Sequence, residues 1–343
     1  MKAVLLEKFG GPENLRAAQV PDPVPGPGEI LVRVRACALN HLDIWVRAGI
    51  PAYKIALPHI LGCDIAGEAA GGNLKAAGLA PGQRVVLAPG RSCLRCEFCD
   101  SGHENRCPRY GIIGANGGPG GYAELIAAPA RAVFPAPQSL SDVEVAAFPL
   151  TFLTAWHMLA TQARLRAGQT VLVLGVGSGV GVAAIQIAAL CGARVLAAST
   201  SRKKLAAARA LGVQEEIHSP PEDIHRKVTA LTDGRGVDVV FEHIGPAVFS
   251  KAIRCLKPGG ILVTCGATTG PTVELDLRYV FSRELRIQGS RMGSLAEFRQ
   301  ALELVSAGKL KPVVDSVFPL EKAAAAQEHL ASGKQFGKVV LTP

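Results

Sequence analysis

Two textures of hydrophobic pattern divide the chain. Up to about residue 130 the apolar residues come in short runs cut by Gly and Pro: EILVRVRACAL at 29–39, DIAGEAA at 64–70, QRVVLAP at 83–89 and YAELIAAP at 122–129. Such runs predict a β-rich portion with loops. From about residue 150 the continuous apolar runs TVLVLG (170–175), RVLAAS (194–199), VDVVFEHIG (237–245) and GILVTCGATTG (260–270) alternate with Ala-rich segments of helical period at 182–193 and 201–212. Strands that are apolar on both faces and separated by helices belong to a parallel sheet, so a doubly wound α/β fold is expected here. A strand at 284–293, a helix at 294–307 and a closing strand at 337–343 then lead the chain back to its first portion. The expected domains are 1–150 with 293–343, and 151–292.

The turn after the strand 170–175 reads Gly175-Val-Gly177-Ser178-Gly179-Val180-Gly181 and opens a helix. Glycines there allow a tight turn and let a pyrophosphate approach the backbone N–H groups at the helix start, which points to a dinucleotide. The spacing is G-x-x-x-G-x-G, also found in short-chain dehydrogenases. Their catalytic Tyr-x-x-x-Lys is missing, because none of Tyr53, Tyr110, Tyr122 or Tyr279 has Lys four residues on. The next strand ends in Ser199-Thr200-Ser201-Arg202-Lys203-Lys204. NAD readers place a carboxylate there for the ribose 2′-OH; hydroxyls and cations suit a 2′-phosphate instead. Cations at a helix start oppose the helix dipole, so a purely structural role explains them less well. NADP(H) is therefore expected over NAD(H). His243 ends a strand of the same fold, where open α/β sheets bind ligands, and is read either as a contact of the nicotinamide or as a satisfied structural histidine; Gly266, on the following strand, is expected to bind the cofactor.

Composition narrows the class. With 48% apolar residues, 19% charged residues and 38 Gly, the sequence is that of a globular α/β protein. The balance of 37 basic against 28 acidic residues has no long basic run and only 5% aromatics beside it, so nucleic acid is not the expected partner. No apolar segment is long enough to span a membrane. Four of the nine cysteines fall at Cys93-x-x-Cys96-x-x-Cys99-x7-Cys107. Four thiolates so close suit a closed, structural tetrahedral zinc in a reducing compartment, and the cytoplasm is the expected location. A ferredoxin cluster would need a shorter last gap, and a zinc ribbon would need two separated knuckles.

These motifs, with Gly82-Gln-Arg-Val, Gly121-Tyr-Ala-Glu124, Leu153-Thr154-Ala-Trp156 and Gly337-Lys338-Val-Val340, make the chain similar over nearly its whole length to the zinc-containing medium-chain dehydrogenase/reductase superfamily, the alcohol dehydrogenases and quinone oxidoreductases. The resemblance implies a GroES-like catalytic domain carrying the zinc lobe at about 90–110, a Rossmann coenzyme domain with the active site in the cleft between them, and hydride transfer to or from a nicotinamide. It further implies a homodimer or homotetramer, with Thr154 and Ser290 beside the nicotinamide.

Two parts of the alcohol-oxidation apparatus depart from the resemblance. Alcohol dehydrogenases hold a catalytic zinc on a Cys, a His and a third ligand, where this chain has Asn40, Cys63 and Leu150. Their proton-relay hydroxyl would fall at Leu42. The pattern Asn40-x-x-Asp43 resembles quinone oxidoreductases without catalytic zinc. Asn40 is then expected to donate to the substrate oxygen, with Asp43 or Asp64 orienting it and Cys63 nearby, in a reductase of quinones, enones or other activated carbonyls and alkenes. The bland readings are that Asn40 caps a helix and Asp64 pairs with an Arg. Two other functions remain open: a zinc alcohol or aldehyde dehydrogenase using Cys63, Asp64 and water or Asn40, and a non-catalytic NADPH-binding regulator.

Overall fold

The segments 170–174, 194–199, 215–218, 237–242, 256–264 and 286–289 form one parallel sheet in a computed structural model that describes residues 1–51 and 53–343. Numbered along the chain, their spatial order is 3-2-1-4-5-6, a Rossmann sheet. Val171, Leu172, Val173 and Leu174 are all buried, because helices cover both faces of the sheet and no side chain of that strand meets water. On one face Leu172, Leu196, Val240 and Leu262 join Ile224, Val228 and Phe249 from the crossover helices in one core. The strand order reverses between 170–174 and 237–242, so the turn at Gly175 and the residue His243 leave the sheet at its switch point. These elements belong to a unit spanning Thr151–Met292.

The other unit, Met1–Leu150 with Gly293–Pro343, is built on a seven-stranded sheet. Its long strand Glu29–Ala38 lies between Asp64–Gly72 and Lys338–Thr342, antiparallel to both. Val32, Val34, Ile65, Val86 and Val339 are buried in it. A three-stranded sheet of 15–19, 2–6 and 59–60 and a short ribbon of 90–91 with 111–112 complete it.

The β-rich portion also contains a helix, His41–Ala48, which ends at Gly49 with φ 92 in the left-handed region where glycine carries no Cβ penalty. One expectation needs correction. The strand expected over 284–293 is only Arg286–Gly289, because Glu284 and Met292 take left-handed backbone (φ 52 at each) that no strand accommodates. Among the described residues no helix is long and apolar enough to cross a membrane.

Candidate active site

Sheet pairing explains why one polar cluster forms in the first unit. Ala38 at the end of the long strand is paired with Asp64 on one side and Val340 on the other. Asn40, two residues beyond, thus meets the first residue of each neighbouring strand, Asp64 and Lys338. The Lys338 ammonium donates to Asn40 Oδ1 at 2.6 Å and to Asp64 Oδ2 at 2.8 Å. Asn40 Nδ2 donates to the same Asp64 oxygen at 2.9 Å and, more weakly, to Cys63 Sγ at 3.4 Å. The Leu150 N–H donates to Asp64 Oδ1 at 2.8 Å. All four side chains are buried. A lysine buried here needs a counter-charge, and Asp64 supplies it in an ion pair.

Asp43 lies behind this cluster. Its two oxygens accept from the backbone N–H of Asn40 at 2.7 Å and of Gly62 at 3.1 Å, so it ties the start of the helix to the segment that carries Cys63. Asn40 stands at the N-cap of that helix, where it forms a capping box with Asp43, and its side-chain oxygen also accepts from Lys338. Burial pushes the Asp43 carboxyl up to about 7, against the opposing pull of those N–H groups and of Lys338. Burial likewise pushes the Cys63 and Cys37 thiols well up, so both are neutral.

Between about pH 4 and pH 7 the native state holds a proton on Asp43 that the unfolded chain has released, so this group's contribution to stability falls as pH rises through that window and is flat above it. Relative to Asp43→Asn, which has no such proton, the wild type is expected to lose about 3 kcal/mol between about pH 5 and about pH 8. Urea unfolding of both proteins at the two pH values measures it, and parallel behaviour would contradict it.

In the second unit the glycine turn is held from two sides. A Cβ on Gly175 would lie 2.6 Å from His243 Nε2, and one on Gly181 would lie 2.4 Å from the Gly175 oxygen. Ser178 caps the helix Gly179–Leu190 by accepting from the Gly181 N–H at 2.9 Å, and its hydroxyl shares a hydrogen bond with His243 Nε2 at 3.1 Å. Burial holds the His243 imidazole down to about 4, so it is neutral. The first N–H groups of the helix, at Gly179 and Val180, have no intrahelical partner and form an anion cradle. At the end of the next strand Ser199 Oγ accepts from Ser201 N, Ser201 caps the helix Arg202–Arg209, and Thr200, Arg202 and Lys203 are exposed. The stem of Lys204 crosses the loop so closely that a Cβ on Gly177 would meet its Cδ at 2.5 Å. Thr154 and Ser290 each bury a hydroxyl with no partner among the described residues, as groups that await a polar ligand do.

The sulfurs of Cys93, Cys96, Cys99 and Cys107 lie within 4.8 Å of one another, with Cys96 to Cys99 at 3.5 Å and Cys93 to Cys99 at 3.9 Å. A tetrahedron with Zn–S bonds of about 2.3 Å has S···S edges of about 3.8 Å. The donor set fits zinc in both kind and spacing.

Comparison with known proteins agrees with this reading. The family model for the alcohol dehydrogenase GroES-like domain matches residues 26–138, and that for the zinc-binding dehydrogenases matches 179–307. The chain is 33% identical to a quinone oxidoreductase of Mus musculus over 99% of this chain and 97% of the relative. The chain belongs to the medium-chain dehydrogenase/reductase superfamily. It is also 31% identical to an NAD-dependent alcohol dehydrogenase of Sulfolobus acidocaldarius over 99% of both chains. A crystal structure of an NAD-dependent alcohol dehydrogenase superposes with a TM-score of 0.96 at 46% identity, covering 100% of each chain. This medium-chain dehydrogenase is accordingly an NAD(P)-dependent oxidoreductase with a GroES-like domain and a Rossmann domain.

Of the residues singled out from the sequence, Asn40, Cys63 and Asp64 come together in one cluster, while Asp43 accepts from the backbone N–H groups of Asn40 and Gly62. His243 packs on the glycine turn. Gly266 passes so close to His243 that a Cβ would lie 2.5 Å from its carbonyl oxygen. Asp64 pairs with a lysine rather than an arginine. Lys338, the only cation in hydrogen-bond contact with Asn40 and Asp64 among the described residues, belongs to the terminal strand motif Gly337-Lys338-Val-Val340, which carries no local sign of this contact.

Proposed function

We propose that this dehydrogenase is an NADPH-dependent reductase of quinones, enones or related activated carbonyls and alkenes, and that it works without a catalytic zinc. The observation that carries this reading is the makeup of the Asn40 cluster. Where alcohol dehydrogenases need three metal ligands, this chain offers an amide, one thiol and Leu150, and both oxygens of Asp64 are already engaged by Lys338, Asn40 and the Leu150 N–H. That set falls short of the three protein ligands a catalytic zinc requires. Among the described residues, three or more metal-binding side chains gather at the four-cysteine lobe.

A bound nicotinamide supplies the hydride; the chain's part is to hold the acceptor and stabilise the charge that develops on its oxygen. Asn40 is the donor suited to that task, since its bond to Cys63 Sγ, at 3.4 Å, is long enough to be exchanged for one to a substrate oxygen. In the Rossmann domain, Thr154 and Ser290 would serve the nicotinamide end, Gly175 to Gly181 the pyrophosphate, and Ser199 to Lys203 the 2′-phosphate. Ser199 in place of a carboxylate, with two exposed cations after it, favours NADPH. Two relatives are named NAD-dependent, so NADH is the competing cofactor.

The cysteine usage, nine free thiols with four gathered for one metal, favours the cytoplasm. A homo-oligomer is favoured by the apolar face of Leu277 and Phe281, 69% and 70% exposed, close in sequence to the edge strand Arg286–Gly289, whose outer side pairs with no strand among the described residues.

Metal analysis and steady-state kinetics on the same preparation test the reading. About one zinc per subunit, with turnover of naphthoquinone or cyclohexenone by NADPH at a kcat/KM at least about tenfold above that with NADH, is expected. About two zincs per subunit, with alcohol oxidation that a chelator abolishes, would overturn it.

A further inference from the structure

The Asn40 side chain could be set in either of two orientations by rotation about its last bond, and only one of them presents N–H groups toward Cys63 and Asp64. Lys338 decides between them. Its ammonium can only donate, and it sits 2.6 Å from Asn40 Oδ1. The reversed amide would set two donors against each other in a buried site and leave an acceptor facing the carboxylate of Asp64. Asp64 in turn fixes Lys338, so the three side chains lock one another. A charge on the acceptor side of an amide also polarises it and strengthens its N–H bonds as donors.

We propose that Lys338 is a positioning residue of the reductase: it holds the Asn40 amide with its N–H groups toward Cys63, so that one of them can pass to the substrate oxygen, and its charge strengthens that donor. Lys338 itself need not touch the substrate. It lies at the start of a strand paired to the one that leads to Asn40, with the Leu39 N–H donating to the Val339 carbonyl at 2.8 Å, so backbone hydrogen bonds keep ammonium and amide in register. The proposal rests on the reductase reading and adds to it the group that sets the donor's direction.

Lys338→Met, Lys338→Arg, Asn40→Leu and the double variant Asn40→Leu/Lys338→Met test it, with NADPH and naphthoquinone or cyclohexenone as probes. Lys338→Met is expected to lower kcat by about tenfold or more while KM for NADPH stays within about twofold, and Lys338→Arg to recover part of kcat. In the Asn40→Leu background, Lys338→Met should cost less than about twofold further, because the two residues act through one donor. Equal losses from Lys338→Met in both backgrounds would overturn the proposal, as would wild-type kcat in Lys338→Met.

A readout without turnover separates this from failure of the reductase reading. The sequence has five asparagines, so selective 15N labelling resolves their side-chain amides. The Asn40 amide should show two inequivalent, slowly exchanging protons in the wild type and in Lys338→Arg, and fast-exchanging ones in Lys338→Met. A wild type that reduces neither probe would sink the reductase reading while this signature still reports on Lys338. If Lys338→Met does not fold, the wild-type and Lys338→Arg spectra decide, and a freely exchanging Asn40 amide in the wild type overturns the proposal.

Discussion

Asp64→Asn is expected to destabilise the GroES-like domain by about 3–5 kcal/mol, and Lys338→Met by a similar amount, because each leaves the other partner as a buried charge without a counter-ion. Both side chains are almost fully removed from water, so the discount that applies to surface ion pairs does not apply. The double variant Asp64→Asn/Lys338→Met should cost about 2–3 kcal/mol less than the sum. With both charges gone, the asparagine at 64 still offers an acceptor for the Leu150 N–H, and only the Asn40 bonds weaken. A coupling of about 2–3 kcal/mol in a double-mutant cycle followed by urea unfolding is the expected result. Additive losses would show that the two groups do not compensate each other. Activity should not return with stability, since the double variant restores charge balance but not the hold on Asn40.

The Rossmann half of this picture is legible from local pattern. Strands apolar on both faces, the glycines at 175 to 181 and the hydroxyl and basic run at 199 to 203 are each contained within a dozen residues, and each fixes its own conformation through turn geometry or burial. The cysteine lobe is legible for the same reason, since its ligands share fifteen residues. The candidate active site is not local. Lys338 is 274 residues from Asp64 and 298 from Asn40. Nothing near it in sequence tells that the strand it opens will pair beside Glu29–Ala38. A charged residue opening an otherwise apolar strand, Lys338-Val-Val-Leu, was the only signal available, and it reads equally well as an exposed strand end. Local rules also misjudged the strand at 284–293: its apolar pattern runs past the point where Met292 turns into left-handed backbone.

Stripping the metal from the four-cysteine lobe should undo that lobe and leave both sheets standing. Between residues 92 and 109 only Asn105 and Cys107 are buried, and the regular structure is one four-residue helix, Glu97–Asp100, with a single 3-10 turn at Glu104–Arg106. Such a segment has no apolar core to offset the entropy of ordering it. Leu94, between two of the cysteines, also holds a left-handed φ of 67 that a leucine adopts only under constraint. Zinc bound by four thiolates supplies on the order of 10 kcal/mol in comparable small sites, enough to hold both. The base of the lobe is pinned independently by the ribbon Gly90–Arg91 with Gly111–Ile112 and by Arg91, which bonds Glu29 and the Gly117 carbonyl. Cys96→Ser is therefore expected to drop zinc from about one to near zero per subunit, with hydrogen exchange speeding up across 92–109 and little change in the strands 29–38 or 170–174. Retained protection across 92–109 after complete loss of metal would mean that the lobe is ordered by packing and that the cysteines serve another purpose.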